Sequence, residues 1–407
     1  MIPCMSVQQN NVERVLLVLL TVCIFFSSLS TSLTIITYAT AFLLLFISND
    51  WSVRWNRIKN NPAAMSFWLL FMLFVIGSFY STSPAHMIWY DIKKHSWLLI
   101  TPFFMMICFD DAWRERMLTA FMCSMIFILC LSYFVWITKI NLTLWIPDLK
   151  KHPGTSIFMQ HIQQSFVMCL AAFICGYRFL FREQYKIMYA LLFLLMSIDI
   201  LFISGSRTGY IIYTVLFLYL GLIRFAWKGL FFSILLSVSL LVSAYCLSSH
   251  FQTRIKKMFF HLTHAGQIHH VTSIGNRIEM LSIARDMVRV RPWFGYGTGG
   301  IHAQFDTVVP LHDRVFNTSS NYIESIYLNF LLEFGFFGLT VLLIAFIMQV
   351  KATFQLPHSY RCLMQAVLIA VLVGGIFNQF FVSFGIVHPY SLLAVLCFSA
   401  LSCHPVR

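Results

Sequence analysis

Along most of the chain, hydrophobic positions do not alternate with polar ones; they run together in blocks divided by short polar breaks. Such blocks read as membrane-spanning helices, because a helix needs ~20 mostly apolar residues to cross the hydrocarbon core of a bilayer. A β-barrel would show alternating segments of about ten residues instead, and that pattern is absent from the sequence. The pattern predicts an all-α, polytopic helical membrane protein with about twelve transmembrane helices, at 15–29, 32–48, 64–82, 95–109, 117–138, 165–181, 187–204, 209–226, 229–248, 325–350, 362–384 and 387–401. The polar break Ser27-Ser28-Leu29-Ser30-Thr31-Ser32 divides the first two into a hairpin.

One region departs from this pattern. Segment 249–324 is the sizeable extramembrane element, and it divides the chain into 1–248 with nine spans, 249–324 as one large helical loop, and 325–407 with three spans. Within it, 276–290 has apolar residues at 278, 280, 281, 283, 284, 287, 288 and 290, the spacing of one helical face. Pro292 ends that helix, and Gly295, Gly297, Gly299 and Gly300 make a loop after it.

Composition sharpens the class. Hydrophobic residues make up 59% of the 407 residues and charged ones 11%, against about 25% charged in a typical soluble domain. Mean hydropathy is +0.78. A soluble enzyme, a nucleic-acid-binding module and a disordered protein are excluded. The net charge of +13 therefore reads as loop anchors on the cytoplasmic side rather than as a nucleic-acid surface. With the N-terminus inside, the cytoplasmic segments hold Arg14, Arg54, Arg57, Lys59, Arg114, Arg116, Arg178, Arg182, Lys186, Arg224, Lys228, Lys351, Arg361 and Arg407, fourteen in all. The opposite short loops hold six, namely Lys93, Lys94, Lys139, Lys150, Lys151 and Arg207. Both termini are thus expected in the cytoplasm and 249–324 outside.

Four constellations carry candidate chemistry. In Ser204-Gly205-Ser206-Arg207-Thr208-Gly209 two glycines bracket an arginine where a helix begins. Its forked donors suit a phosphate, and so do the free N–H groups of a helix start; a lipid headgroup contact is the plainer reading. Gly275-Asn276-Arg277 opens the external helix, and Arg291-Pro292-Trp293-Phe294-Gly295-Tyr296-Gly297 closes it. That glycine run follows a helix and precedes no strand, so a dinucleotide-binding loop fails on context. Glu324 stands at the mouth of the next span, with Tyr327 just inside and Glu333 about 13 Å deeper at ~1.5 Å per residue. An ionisable residue inside a span is a functional candidate by default, and a buried structural partner is the alternative for Glu333. Lys150 and Lys151 place two cations on an outer loop, where an anionic lipid or glycan phosphate is a possible contact. The seven His of 249–324 show no recognised ligand spacing, so no metal and no cofactor is expected.

Taken together, these pieces resemble the O-antigen ligase and O-antigen polymerase superfamily over roughly residues 60–350. The resemblance rests on Gly205-Ser206-Arg207-Thr208-Gly209, on Gly275-Asn276-Arg277 with Arg291 to Gly297, and on Tyr327-Leu328-Asn329-Phe330-Leu331-Leu332-Glu333-Phe334-Gly335 with Gly338-Leu339. Asp91-Ile92-Lys93-Lys94-His95-Ser96-Trp97-Leu98 to Pro102 is similar to the start of the family's fourth span. The resemblance implies an inverting, metal-independent glycosyltransferase of the bacterial inner membrane. Its donor is a glycan on undecaprenyl pyrophosphate, and its acceptor is lipid A–core for a ligase or a second lipid-linked glycan for a polymerase; membrane lipids are the other partners. By resemblance Arg207 and Arg277 hold the pyrophosphate, with Arg291, Lys150, Lys151 and Tyr327 as further substrate contacts. One departure stands out. The family's ligase histidine falls on Glu324 and its asparagine neighbour on Ser325. Glu-Ser at this place is closer to polymerase-like members, and the stretch from Asp91 to Pro102 to ligases. The expectation is a ligase, with Glu324, Arg207 and Arg277 as catalytic residues. A lipid-glycan flippase or solute transporter is the rival from another class, but the internal repeat usual in transporters is absent.

Overall fold

The computed structural model describes residues 11–47, 51–139, 157–247, 252, 256, 273–301, 303–304 and 323–403. Among these there are helices and turns and no strand, which agrees with the all-α expectation. In chain order the helices are α1 Asn11–Phe26, α2 Thr31–Ile47, α3 Trp51–Lys59, α4 Pro62–Phe79, α5 Ala85–Lys94, α6 Ser96–Phe104, α7 Asp111–Thr138, α8 His161–Phe181 and α9 Lys186–Ile198. They continue with α10 Arg207–Leu247, α11 Ser273–Val290, α12 Ile326–Thr353, α13 His358–Gly374 and α14 Phe384–Cys403.

Helix starts follow the local sequence. At α4, Asn61 Oδ1 accepts the N–H groups of Ala63 (3.1 Å) and Ala64 (3.3 Å), and Pro62 takes the first position, where its missing N–H costs nothing. Asn61 Nδ2 also donates to Phe398 O at 3.0 Å, which ties this start to α14. Asp110 caps α7 in the same way through Trp113 N–H at 2.8 Å.

Among the described residues, seven helices are long and apolar enough to cross a membrane: Pro62–Phe79, Asp111–Thr138, His161–Phe181, Lys186–Ile203, Arg207–Leu235, Ile326–Thr353 and Phe384–Leu401. Helix α13, at 17 residues, is apolar but shorter. The bundle is graded from inside to outside. The apolar stretches of α14 and α8 are 83% and 78% buried, whereas Lys186–Ile203 is 22% buried and turns Ile187, Leu191, Leu194 and Phe202 outward. A surface of this kind suits lipid rather than water. A polar seam crosses the core, with Tyr390 donating to Gln349 at 2.5 Å and Gln349 donating to Ser66 at 3.0 Å.

Three expected spans take another form. The stretch 95–109 contains one helix of nine residues, Ser96–Phe104, with Pro102 inside it. It is apolar because it is buried against α4 and α14, and apolarity alone does not separate a short buried helix from a crossing one. The expected pair 209–226 and 229–248 lies within α10, which breaks at Ala226 (φ 51°, ψ −141°). Gly221 lies against Gly229 and Ser233 there, so the chain folds back on itself. The break between 15–29 and 32–48 is a hairpin as expected, with α1 and α2 packed together and the turn held by Ser30 N–H on Phe26 O at 2.9 Å.

Candidate functional site

Five residues form a π-helical turn at Asp199–Ile203 after α9, and there Ser204 N–H reaches Asp199 O at 2.8 Å. Such turns concentrate at functional sites. Gly205 follows in the left-handed region (φ 65°), which redirects the chain so that Arg207 becomes the first residue of α10. The turn is rigid. Ser165 donates to Ser204 (3.0 Å), Ser204 to Ile200 O (3.1 Å), and Ser206 Oγ accepts Gly209 N–H (3.1 Å). The Arg207 side chain is exposed on this fixed base. Asp199 is fully buried, with Ser132 donating to its Oδ1 at 2.5 Å and no hydrogen-bond partner for its Oδ2. An apolar block gives no periodic signal for such a residue; its one mark in the sequence is a carboxylate where none is expected.

The mouth of α12 is held as firmly. Ser325 N–H donates to Ile323 O at 2.7 Å, and Asn329 Oδ1 accepts Ile323 N–H at 3.2 Å. Asn329 Nδ2 donates to Ser325 O at 2.6 Å and to Ile323 O as well. Glu324 stands at the apex of this clamp with its carboxylate exposed. Tyr327 is half-buried, and its hydroxyl donates to Leu372 O at 2.9 Å.

A corner missed in the sequence, Gly374 to Asn378 after α13, joins these two sites. On one side Asn378 Nδ2 donates to Thr208 Oγ1 at 2.9 Å, next to Arg207. On the other, Gly375 O accepts Ile326 N–H at 2.9 Å and Ser325 Oγ at 3.3 Å, next to Glu324. Arg207 and Glu324 therefore flank one turn at one end of the bundle.

Helix α11 packs onto the same mouth. Met280, Ile283, Ala284 and Met287 form a buried stripe against Ile323 and Leu332, with Leu328 beside them. Arg277 lies on the first turns of this helix, and the helix covers the expected 276–290. Arg291 is exposed at its far end, with its guanidinium 5.3 Å from the Tyr296 ring. The glycine loop then enters a break in α12. At Gly335 (φ 66°, ψ −163°) that helix departs from helical geometry, which frees the carbonyls of Leu332 and Glu333 to accept Tyr296 N–H (3.0 Å) and Gly297 N–H (2.7 Å). Lys150 and Lys151 lie outside the described residues, as do the seven His of 249–324.

The turn before α10, helix α11, the glycine loop, the mouth of α12 and its break at Gly335 fall in one stretch of chain, and residues 190–343 match the family model described as O-antigen ligase. This stretch is similar to the O-antigen ligase family. The resemblance drawn from the motifs is thereby met, and the apolar helices fit the multi-pass membrane character of an O-antigen ligase or polymerase type of protein. Members of this family are glycosyltransferase-like enzymes acting on lipid-linked glycans. No curated protein matches the chain. Arg207, Arg277, Arg291, Glu324 and Tyr327 all fall inside the O-antigen ligase match, whereas Asp91 and the Gly374 to Asn378 corner lie beyond it.

Proposed function

We propose that this chain is an inverting, metal-independent glycosyltransferase of the bacterial inner membrane. It moves a glycan from undecaprenyl pyrophosphate to lipid A–core at the periplasmic face. Both termini lie in the cytoplasm, 249–324 lies outside, and the site opens on that side, in line with the bias of basic residues. The observation that carries the reading is the shared corner: Thr208 and Ser325, one residue from Arg207 and Glu324, both bond to Gly374 to Asn378.

The reaction follows from this arrangement. The acceptor hydroxyl oxygen attacks the anomeric carbon as the bond to the pyrophosphate oxygen breaks, and a single displacement inverts that carbon. Negative charge grows on the pyrophosphate, where Arg207 and Arg277 hold it with paired donors. Glu324 takes the hydroxyl proton, late in the step because the leaving group is already good. Undecaprenyl pyrophosphate leaves. Arg291, Lys150, Lys151 and Tyr327 are the further substrate contacts in this reading.

Arg207→Ala is the test. The side chain is exposed, so the protein should still reach the membrane and fold. Loss of the contact should cost about 2–4 kcal/mol, or roughly 30- to 1000-fold in transfer rate. Near-normal transfer would remove the pyrophosphate clamp. A second reading, polymerisation of lipid-linked repeat units, is favoured by Glu324-Ser325 where the ligase pattern has histidine and asparagine. Lipopolysaccharide from a deletion strain separates the two: bare core indicates a ligase, core with one repeat a polymerase.

A further inference from the structure

A cavity of about 650 Å³ lies between α8, α9 and the two arms of α10. Gly176 and Leu180 of α8, Phe193 of α9, and Phe217 and Phe232 of α10 line it, and Lys228 is the charged residue of its wall. The break at Ala226 creates this space by turning α10 back on itself, so that the two arms touch at Gly221 and Gly229. Phe232 is exposed, so the cavity opens on the outer side of the bundle. A hollow of this size is within the range of about 300–1,000 Å³ usual for ligand sites. Water would find almost no hydrogen-bond partners in it, so in a membrane it fills with hydrocarbon.

The rim carries charge. Arg207 opens the first arm of α10, and Arg224 lies about 25 Å further along it at ~1.5 Å per residue, at the end of the bundle away from the candidate site. Trp227 stands between Arg224 and Lys228 and is 78% exposed, and a tryptophan beside basic residues marks the level of lipid headgroups. The acids at this end are taken by other cations. Glu115 pairs with Arg178 (2.6 Å) and Arg182 (2.5 Å), and Glu183 pairs with Lys186 (2.8 Å). Among the described residues, Arg224 and Lys228 have no carboxylate partner, and the Arg224 guanidinium lies 5.6 Å from the Phe181 ring. Two cations above an apolar hollow complement a molecule with a hydrocarbon chain and an anionic head.

We infer that this cavity binds an acyl chain of an anionic glycerophospholipid, whose phosphate is held by Lys228 and Arg224. Such a lipid touches α8, α9 and both arms of α10, and so braces the turn at Ala226. A polyprenyl chain is the other hydrocarbon at hand in the proposed transferase reading. Its phosphates belong at Arg207 in that reading, and its far end has no charge for Lys228 to meet. The lipid site does not depend on that reading.

Native mass spectrometry of the full-length protein in detergent tests this, with titration of phosphatidylglycerol against zwitterionic phosphatidylethanolamine of the same acyl chains. Wild-type protein should take up one phosphatidylglycerol about tenfold more tightly than phosphatidylethanolamine. Lys228→Gln and Arg224→Gln should each lower that preference roughly fivefold with normal protein yield, because both side chains are exposed. Lys228→Arg should keep it. Ala190→Phe puts a ring into the cavity from α9, so it should weaken both lipids alike, roughly tenfold, and leave the preference unchanged. Equal binding of the two lipids by wild-type protein, a preference that survives both glutamine variants, or binding indifferent to Ala190→Phe would each overturn the inference. Displacement of phosphatidylglycerol by equimolar undecaprenyl phosphate would also overturn it, and would give the cavity to the polyprenyl chain.

Discussion

Glu324 and Glu333 lie nine positions apart around the start of one helix, yet they occupy opposite kinds of environment. Glu324 is exposed, and Asn329 and Ser325 fix the backbone turn on which it stands. Glu333 is buried, with no hydrogen-bond partner for its Oε1 among the described residues. The first arrangement suits a group that must meet a substrate and exchange a proton with it. The second suits a group closed off from substrate. Chemical identity is shared and both acids lie at the start of one helix, so role is decided by the surroundings the fold gives each.

The largest break in this comparison should come from Gly335. Its φ of 66° with ψ of −163° is reached freely by glycine alone, and a β-carbon there would meet the backbone of Trp293 and Phe294. Gly335→Ala should therefore either straighten α12 or expel the loop. Phe336 N–H bonds Pro292 O at 2.8 Å and Phe337 N–H bonds Trp293 O at 3.2 Å, and both bonds would go with it. The expected result is a collapse in the yield of monodisperse protein on size exclusion. A well-folded Gly335→Ala protein with normal transfer would mean that the break is not needed.

Glu324→Gln should have a smaller and cleaner effect. The amide keeps size and hydrogen-bonding reach but accepts no proton. Turnover of purified protein should fall about 100-fold, the lower end for a general base, because the leaving group is already activated. Undecaprenyl pyrophosphate binding and protein yield should stay at wild-type levels. Wild-type turnover would place the base elsewhere and leave Glu324 as an exposed acid without a chemical role.

The sequence made the outer layer of this comparison legible and concealed the inner one. Uninterrupted apolar blocks reported helices, and glycine at 205, 295 and 297 reported turns, because those signals are local. The motif order then pointed to the family matched by residues 190–343. What stayed hidden depends on contacts distant in sequence. Asp91 and Glu333 are both buried by a fold that neither local pattern specifies. Asp199 sits in an apolar block with nothing nearby to pair it, and its partner Ser132 belongs to another helix. The 95–109 block looked like a span because a helix buried in protein and one buried in lipid need the same side chains.

The corner between the two ends of the site offers the finest probe. Asn378 Nδ2 donates to Thr208 Oγ1 at 2.9 Å, a side-chain bond of ordinary strength joining the start of α10 to the turn after α13. Thr208→Val removes the acceptor with almost no change in shape and leaves the Asn378 amide short of one partner, a loss of about 1 kcal/mol or roughly fivefold. Fold and yield should survive that loss. The effect should appear as a rise in the donor KM with little change in kcat, because in the proposed reading Arg207 holds the donor and its neighbour Thr208 anchors the turn beneath it. Asn378→Leu should give a similar rise. In the double variant both polar groups are gone and no buried donor is stranded, so the combined loss should be clearly less than the product of the single losses. Strictly multiplicative effects would show that the two side chains act independently, and the corner would then no longer link Arg207 to Glu324.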